Sequence, residues 1–159
     1  MVQGIMKGEG EESFTELVAY YGKLKERKQL RDIEGLMFRD ENGEIIETEN
    51  RPILDLSTVP FVYEHIEDFQ NRIIYYESSR GCPFSCSYCL SSIDKCLRFR
   101  KIELVKKELQ FFIDHEVPQV KFVDRTFNCK HDHAMAIWKY ITEHDKGLSL
   151  IHISEPTRP

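Results

Sequence analysis

The chain has 159 residues, 41% of them apolar and 31% charged, the length of one ordinary domain and the composition of a globular protein. Its 22 Lys and Arg against 27 Asp and Glu leave a net charge of −5, with basic residues scattered among acidic ones, so nothing favours nucleic-acid binding. No apolar run approaches the roughly 20 residues needed to cross a bilayer, and the first residues lack the basic-then-apolar pattern of a secretion signal, so a cytoplasmic, membrane-free protein is expected.

Taken in order, Val2 to Lys7 reads as a strand, similar to the last strand of a preceding domain. It runs into Gly8-Glu9-Gly10-Glu11-Glu12 and then a helix, because Phe14, Leu17, Val18, Tyr21 and Leu24 recur every three to four residues. The acidic start suits the positive end of the helix dipole, and the helix is expected to fade near Arg27. Gly35 to Phe38 and Glu44 to Glu47 flank Asp40-Glu41-Asn42-Gly43, where Asn-Gly supplies the positive backbone dihedrals of a tight turn, so a β-hairpin is predicted. Residues 51 to 71, with Pro52 and Pro60 and little periodicity, read as a connector lying on the surface of the next domain.

From Arg72 the pattern becomes strand, helix, strand, helix. Ile73 to Tyr76 is a short apolar run of the kind buried in a parallel sheet. Ile102, Val105, Leu109, Phe112 and Ile113 mark one face of a helix that Val117-Pro118 should end, because the residue before proline disfavours the helical region. Val120 to Asp124 forms a second strand, and Ala134, Ile137, Trp138 and Ile141 a further helix ending near Gly147. This order implies parallel strands with right-handed crossovers. Leu148 to Pro159 breaks the pattern where a third strand is due. The string resembles one reading frame of a sequencing adapter and is expected to be non-native, the alternative being an ordinary proline-containing tail.

Cys82, Cys86 and Cys89 lie too close together to pair readily as structural disulfides, and in a reducing compartment such a cluster more often binds metal. They sit in Arg80-Gly81-Cys82-Pro83-Phe84-Ser85-Cys86-Ser87-Tyr88-Cys89, on a loop directly after a strand. A cubane cluster has four irons, and a simple electron carrier normally spends four thiolates on it. Three thiolates leave one iron open, which implies chemistry at the metal. The competing reading is a structural zinc site with Cys96, Cys129 or a histidine as fourth ligand. The spacing argues against it, because zinc ribbons use two Cys-x-x-Cys knuckles and no second knuckle exists here. Cys96 and Cys129 are read as thiols outside the ligand set, and His131 and His133, at a polar helix start, as solvated.

With an aromatic residue just before the third cysteine, this motif resembles the signature of the radical S-adenosylmethionine superfamily. The order Gly-Glu-Gly-Glu-Glu, helix, Asn-Gly hairpin, proline connector and Ser-Arg-Gly-Cys-Pro is similar to its members with a cobalamin-binding domain, over residues 1 to about 147. The resemblance implies an α/β fold. Residues 1–30 would be the end of a Rossmann-like cobalamin domain, 31–71 a hairpin connector, and 72–147 the first two β/α units of a partial (β/α)6 barrel, in a chain truncated at both ends, with 148–159 the non-native tail. It implies a [4Fe–4S] cluster on Cys82, Cys86 and Cys89, with the amino and carboxylate groups of S-adenosylmethionine on the open iron. Reductive cleavage would give a 5′-deoxyadenosyl radical that acts on an unidentified substrate. Tyr88 would lie beside the adenine, and Gly81 and Pro83 would shape the loop. Cobalamin would serve as methyl carrier or electron-transfer partner, and flavodoxin or ferredoxin as reductant. No Asp-x-His-x-x-Gly stretch occurs. Gly8 and Gly10 either approach cobalamin or only form the turn into the helix. Where the superfamily often carries Gly-Gly-Glu, this chain has Val123-Asp124-Arg125, so only the acid's role carries over. Asp124 is expected to meet the methionyl amino group of the cofactor, the alternative being a structural cap or an ion pair with Arg125. A non-enzymatic iron–sulfur or zinc module remains the alternative function.

Overall fold

The computed structural model describes residues 3–22, 29–89, 96–144 and 146–152. The chain divides into two compact units, Met1–Leu54 and Asp55–Pro159.

In the first unit, strand β1 (Gly4–Met6), helix α1 (Glu11–Tyr21), β2 (Leu36–Arg39) and β3 (Ile45–Glu47) succeed one another. The three strands form one antiparallel sheet in the order β1-β2-β3, so β1 pairs with the hairpin. The hairpin forms where the Asn-Gly pair predicts it. Asp40 Oδ1 accepts from the backbone N–H groups of Asn42 and Glu44, both at 2.9 Å, and Gly43 takes the left-handed conformation (φ +84°) that such turns require. Arg51 ties the helix to the chain after the hairpin, donating to Glu12 and Glu16 at 3.0 Å each and to the buried Ser13 hydroxyl at 3.1 Å. The helix end predicted near Arg27, with Leu24, lies outside the described residues.

The second unit begins at Asp55, so the segment 55–71 belongs with the parallel-strand region and not with the hairpin. Phe61, Tyr63, Ile66 and Phe69 explain this: they pack on the core beside Phe112, whose ring lies 5.4 Å from that of Phe61 and 5.6 Å from that of Tyr63. The elements are β4 (Ile74–Tyr76), β5 (Ser79–Arg80), β6 (Arg98–Phe99), α2 (Ile102–Asp114), β7 (Gln119–Phe122), α3 (His131–His144) and β8 (Ser149–His152). β4, β7 and β8 form a parallel sheet in that order, with Ile74 opposite Val120 and Val120 opposite Leu150. Ile74, Tyr76, Val120 and Phe122 are buried under Val105, Leu109 and Phe112 of α2 and Ala134, Ile137 and Ile141 of α3. The Tyr63 hydroxyl covers the outer edge of β4, donating to the Tyr75 carbonyl at 2.6 Å and accepting from its N–H at 3.2 Å.

Two expectations need correction here. Residues 149–152 do continue the strand–helix pattern, supplying the third parallel strand, so the second unit holds two β/α units plus a strand. A hydrogen-bonding edge on β7 accepts any extended segment of suitable length, which is why the Ser-Leu-Ile-His stretch pairs there. Residues 153–159 lie outside the described residues. Helix α2 also stops earlier than Pro118 demands. Glu116 adopts φ +51°, and the N–H groups of Glu116 and Val117 bond back to Ile113 and Phe112 at 3.1 and 3.0 Å. This paired capping arrangement satisfies the last carbonyls and turns buried Val117 into the core before the proline is reached.

Candidate functional site

The cysteine loop leaves the C-terminal end of β4, and its two ends are zipped together. Ser79 pairs with Phe99 and Arg80 with Arg98 in the antiparallel β5–β6 ladder, which brings the two ends of the loop together. Gly81 begins it at φ +96°, and a Cβ there would collide with the carbonyl of Cys96. Only glycine meets both conditions. Cys82 is buried, with its Sγ 3.4 Å from the Thr126 hydroxyl. Cys86 and Cys89 are half-buried and share one turn, the Cys89 N–H donating to the Cys86 carbonyl at 3.1 Å. None of the five cysteines forms a disulfide. Among the described residues no group of three or more His, Cys, Asp or Glu side chains already stands in metal-ligating geometry, so the loop presents its donors without a preformed cage. Three thiols at this spacing on one pinned loop fit an iron–sulfur cluster by donor chemistry. Tyr88 projects outward, 79% exposed.

The stem of the loop is held by two buried polar networks. On one side Asp124, 4% exposed at the end of β7, accepts from the Ser78 N–H at 2.8 Å, the Ser78 hydroxyl at 2.6 Å and the Ser79 hydroxyl at 2.7 Å. The carboxylate is therefore directed at the strand leading into the cysteines. On the other side Arg100, the residue after β6, donates from its backbone N–H to the Ser78 carbonyl at 2.9 Å. Its guanidinium donates to Leu56 and Val59 carbonyls at 2.6 and 2.9 Å and to Glu108 of α2 through Nε at 2.9 Å and through Nη2. Tyr76 completes the set, its hydroxyl 2.5 Å from Glu108 Oε2. Burial pushes the Tyr76 hydroxyl far above its ordinary range, and the Glu108 charge reinforces the effect, so it keeps its proton and donates it to the carboxylate. Burial opposes the Arg100 charge, but its bonds to Glu108 outweigh that and hold the guanidinium charged.

Sequence reading passed over Ser78, Ser79, Arg100, Glu108 and Tyr76. One signal was available: Glu108 lies three residues from Val105 on the apolar stripe of α2, where an unpaired acid would be costly. His133 is a correction. It is 6% exposed rather than solvated, packed against Phe99 with ring centroids 5.0 Å apart, because the first turn of α3 folds onto β6. Its Nε2 has no hydrogen-bond partner among the described residues. His131 is exposed as expected, Cys129 is half-buried, and Cys96 is exposed at the far end of the loop. Gly8 occupies the turn between β1 and α1 at φ +71°, with nothing within 4 Å of where a Cβ would stand, and Gly10 caps α1.

Burial lowers the His133 pKa; Asp124 pulls it up, Lys130 pushes it down, and burial prevails. The unfolded chain, with a histidine near 6.5, then binds the proton more readily than the folded one. Stability from this site is therefore present above about pH 6.5 and is lost as pH falls through that value toward the lower folded pKa. Urea midpoints measured between about pH 5.5 and 7.5 are expected to rise with pH in the wild type and to flatten in His133→Phe. An unchanged slope in the variant would assign the dependence elsewhere.

No family model matches the chain. It is 29% identical over 146 residues to an uncharacterized methyltransferase of Pyrococcus horikoshii, covering 86% of this chain and 31% of that protein. To the anaerobic magnesium-protoporphyrin IX monomethyl ester cyclase of Cereibacter sphaeroides it is 27% identical over 164 residues, 96% of this chain and 22% of the other. In structure it is similar to the cobalamin-dependent S-adenosylmethionine radical enzyme OxsB, solved with aqua-cobalamin and S-adenosylmethionine bound. The TM-score there is 0.69 at 20% identity, over 92% of this chain and 22% of that one. The radical S-adenosylmethionine methyltransferase TsrM of Kitasatospora setae, solved with cobalamin and a [4Fe–4S] cluster, matches at TM-score 0.62 and 20% identity, over 89% of this chain and 30% of that one. The chain thus spans less than a third of the length of each. No helix among the described residues is long and apolar enough to cross a membrane. Over the matched part the chain shares the fold of these cobalamin-dependent radical enzymes, and the resemblance to radical S-adenosylmethionine proteins with a cobalamin-binding domain is borne out.

Proposed function

We propose that this chain is the cluster-bearing part of a cytoplasmic radical S-adenosylmethionine enzyme, with Cys82, Cys86 and Cys89 as the three ligands of a [4Fe–4S] cluster. The observation that carries the reading is the pinned loop itself: it follows a parallel strand, has its two ends brought together, is opened by an obligatory glycine and holds three thiols. When bound, the cluster supplies the electron that cleaves S-adenosylmethionine to methionine and a 5′-deoxyadenosyl radical, delivered from a flavodoxin or ferredoxin.

The residues of this chain then have separable tasks. Cys82, on the buried side of the loop, is steadied by the Thr126 hydroxyl, while the turn from Cys86 to Cys89 offers the other two sulfurs at the surface. Tyr88, exposed on that turn, supplies a ring for the adenine to lie against. β4 and β7 are the first two strands of a (β/α)6 barrel, and β8 pairs where its third strand would stand. The sheet face bearing Tyr75 and Lys121, opposite the helices, becomes its interior. The bare backbone at Gly8 and Gly10 lets cobalamin approach closely at the end of its own domain. The substrate is bound by parts of the protein beyond the cluster loop, and its chemistry is left open.

Anaerobic reconstitution with iron and sulfide tests this. The expected product holds about four irons with matching labile sulfide, and its reduced spectrum changes on adding S-adenosylmethionine. A single tightly held zinc with no labile sulfide would instead make the chain a structural metal module.

A further inference from the structure

We propose that Asp124 is a positioning residue for the cysteine loop, acting through Ser78 and Ser79 and not through the methionyl group of S-adenosylmethionine. The inference rests on the reading of Cys82, Cys86 and Cys89 as cluster ligands and assigns how their loop is held. Four observations converge on it. Asp124 is buried at 4% exposure and takes three hydrogen bonds from two consecutive residues of the loop stem. A carboxylate has about four acceptor positions, so most of its capacity is already used. Ser78 and Ser79 are themselves 0% and 1% exposed, so their hydroxyls and the Ser78 N–H have no water to turn to if the carboxylate is removed. Ser78 is also the residue whose carbonyl receives the Arg100 N–H from the returning stem, which makes it the knot of both strands of the loop base. Two residues beyond Asp124 on the same segment, Thr126 touches the Cys82 sulfur. The short stretch after β7 therefore grips the loop at its base and at its first ligand, and Asp124 transmits the position of the sheet to the cysteines.

The test compares Asp124→Ala, the Ser78→Ala/Ser79→Ala double variant and Asp124→Asn in the full-length protein. The readouts are hydrogen exchange across residues 81–89 in the metal-free state, iron loss to a chelator after reconstitution, and S-adenosylmethionine binding. Charge-assisted bonds of this kind correspond to about 10- to 150-fold each. Asp124→Ala and the double-serine variant are therefore both expected to raise exchange in the loop by at least about tenfold and to lose iron faster by a similar factor. Asp124→Asn should recover much of this, since its amide can donate to the two hydroxyls that the carboxylate accepted from. Full iron retention and quiet exchange in Asp124→Ala, with weakened S-adenosylmethionine binding alone, would overturn the proposal in favour of contact with the methionyl group. A double-serine variant indistinguishable from wild type would overturn it as well. If Asp124→Ala does not fold, the serine and asparagine variants decide by the same criteria. The metal-free exchange measurement remains readable even if the wild type takes up zinc or no cluster at all, so failure of the cluster assignment and failure of the clasp give different results.

Discussion

Replacing any one of Cys82, Cys86 or Cys89 with alanine is expected to abolish cluster assembly, while Cys96→Ala and Cys129→Ala retain it. The reason is ligand number. Three thiolates on a cubane already leave one iron without a protein ligand, so a two-cysteine variant has no reserve, and the cluster is lost rather than weakened. Geometry separates the two groups of cysteines. Cys82 opens the pinned loop from its buried side, and Cys86 and Cys89 close one turn of it. Cys129 belongs to a short helical turn after β7, and Cys96 stands exposed next to the closing strand. Iron and sulfide analysis after anaerobic reconstitution checks the series. A Cys86→Ala protein with full iron content would remove Cys86 from the ligand set, and loss of the cluster in Cys129→Ala would bring a fourth thiol into it.

Glu108→Ala should be the most damaging single change away from the cysteines. Arg100 and Glu108 are 7% and 6% exposed, and the Tyr76 hydroxyl shares the same carboxylate. Deleting it strands a buried guanidinium with only the Leu56 and Val59 carbonyls and leaves the tyrosine hydroxyl without its acceptor. Breaking a buried ion pair from one side costs about 3–5 kcal/mol. Against the roughly 5–15 kcal/mol typical of a domain, about a fifth or more of the stability would go. Glu108→Gln should cost less, because the amide still accepts from Arg100 and can donate to the tyrosine oxygen. Urea unfolding of the two variants measures the difference. A loss below about 1 kcal/mol in Glu108→Ala would mean that water or a shifted side chain satisfies Arg100. The effect should extend to the loop, since Arg100 joins its returning stem to Ser78.

These two predictions draw on different sources of information. The cysteine motif was legible in the sequence because it is a local pattern. Three cysteines spaced by three and two residues stand out by themselves, whereas the need for glycine at Gly81 shows only in the structure, where its φ is +96° and the Cys96 carbonyl closes over it. The Asn-Gly hairpin and the apolar stripe of α2 were legible for the same reason, since each depends on contacts only a few residues apart. The end of α2 was not, because proline gives a stop signal downstream while the actual stop is a pair of capping bonds around Glu116 that no local propensity marks.

What tertiary structure alone decided is which polar groups meet across long separations. Asp124 reaches Ser78 over 46 residues and Arg100 reaches Leu56 over 44, through a parallel sheet and a helix that bring distant segments to one edge. The sequence marked Asp124 as an acid at a strand end and favoured a cofactor contact over a structural cap. Its hydrogen bonds to Ser78 and Ser79 are a fact of packing that no sequence pattern marked. His133 makes the same point from the opposite side: a helix start reads as polar and solvated until β6 is laid against it, and burial then lowers its pKa. Patterns carried by neighbours in the chain were therefore legible in the sequence itself. The buried polar contacts at the loop stem emerged only on folding, because buried polar groups take their partners from whatever the sheet brings near.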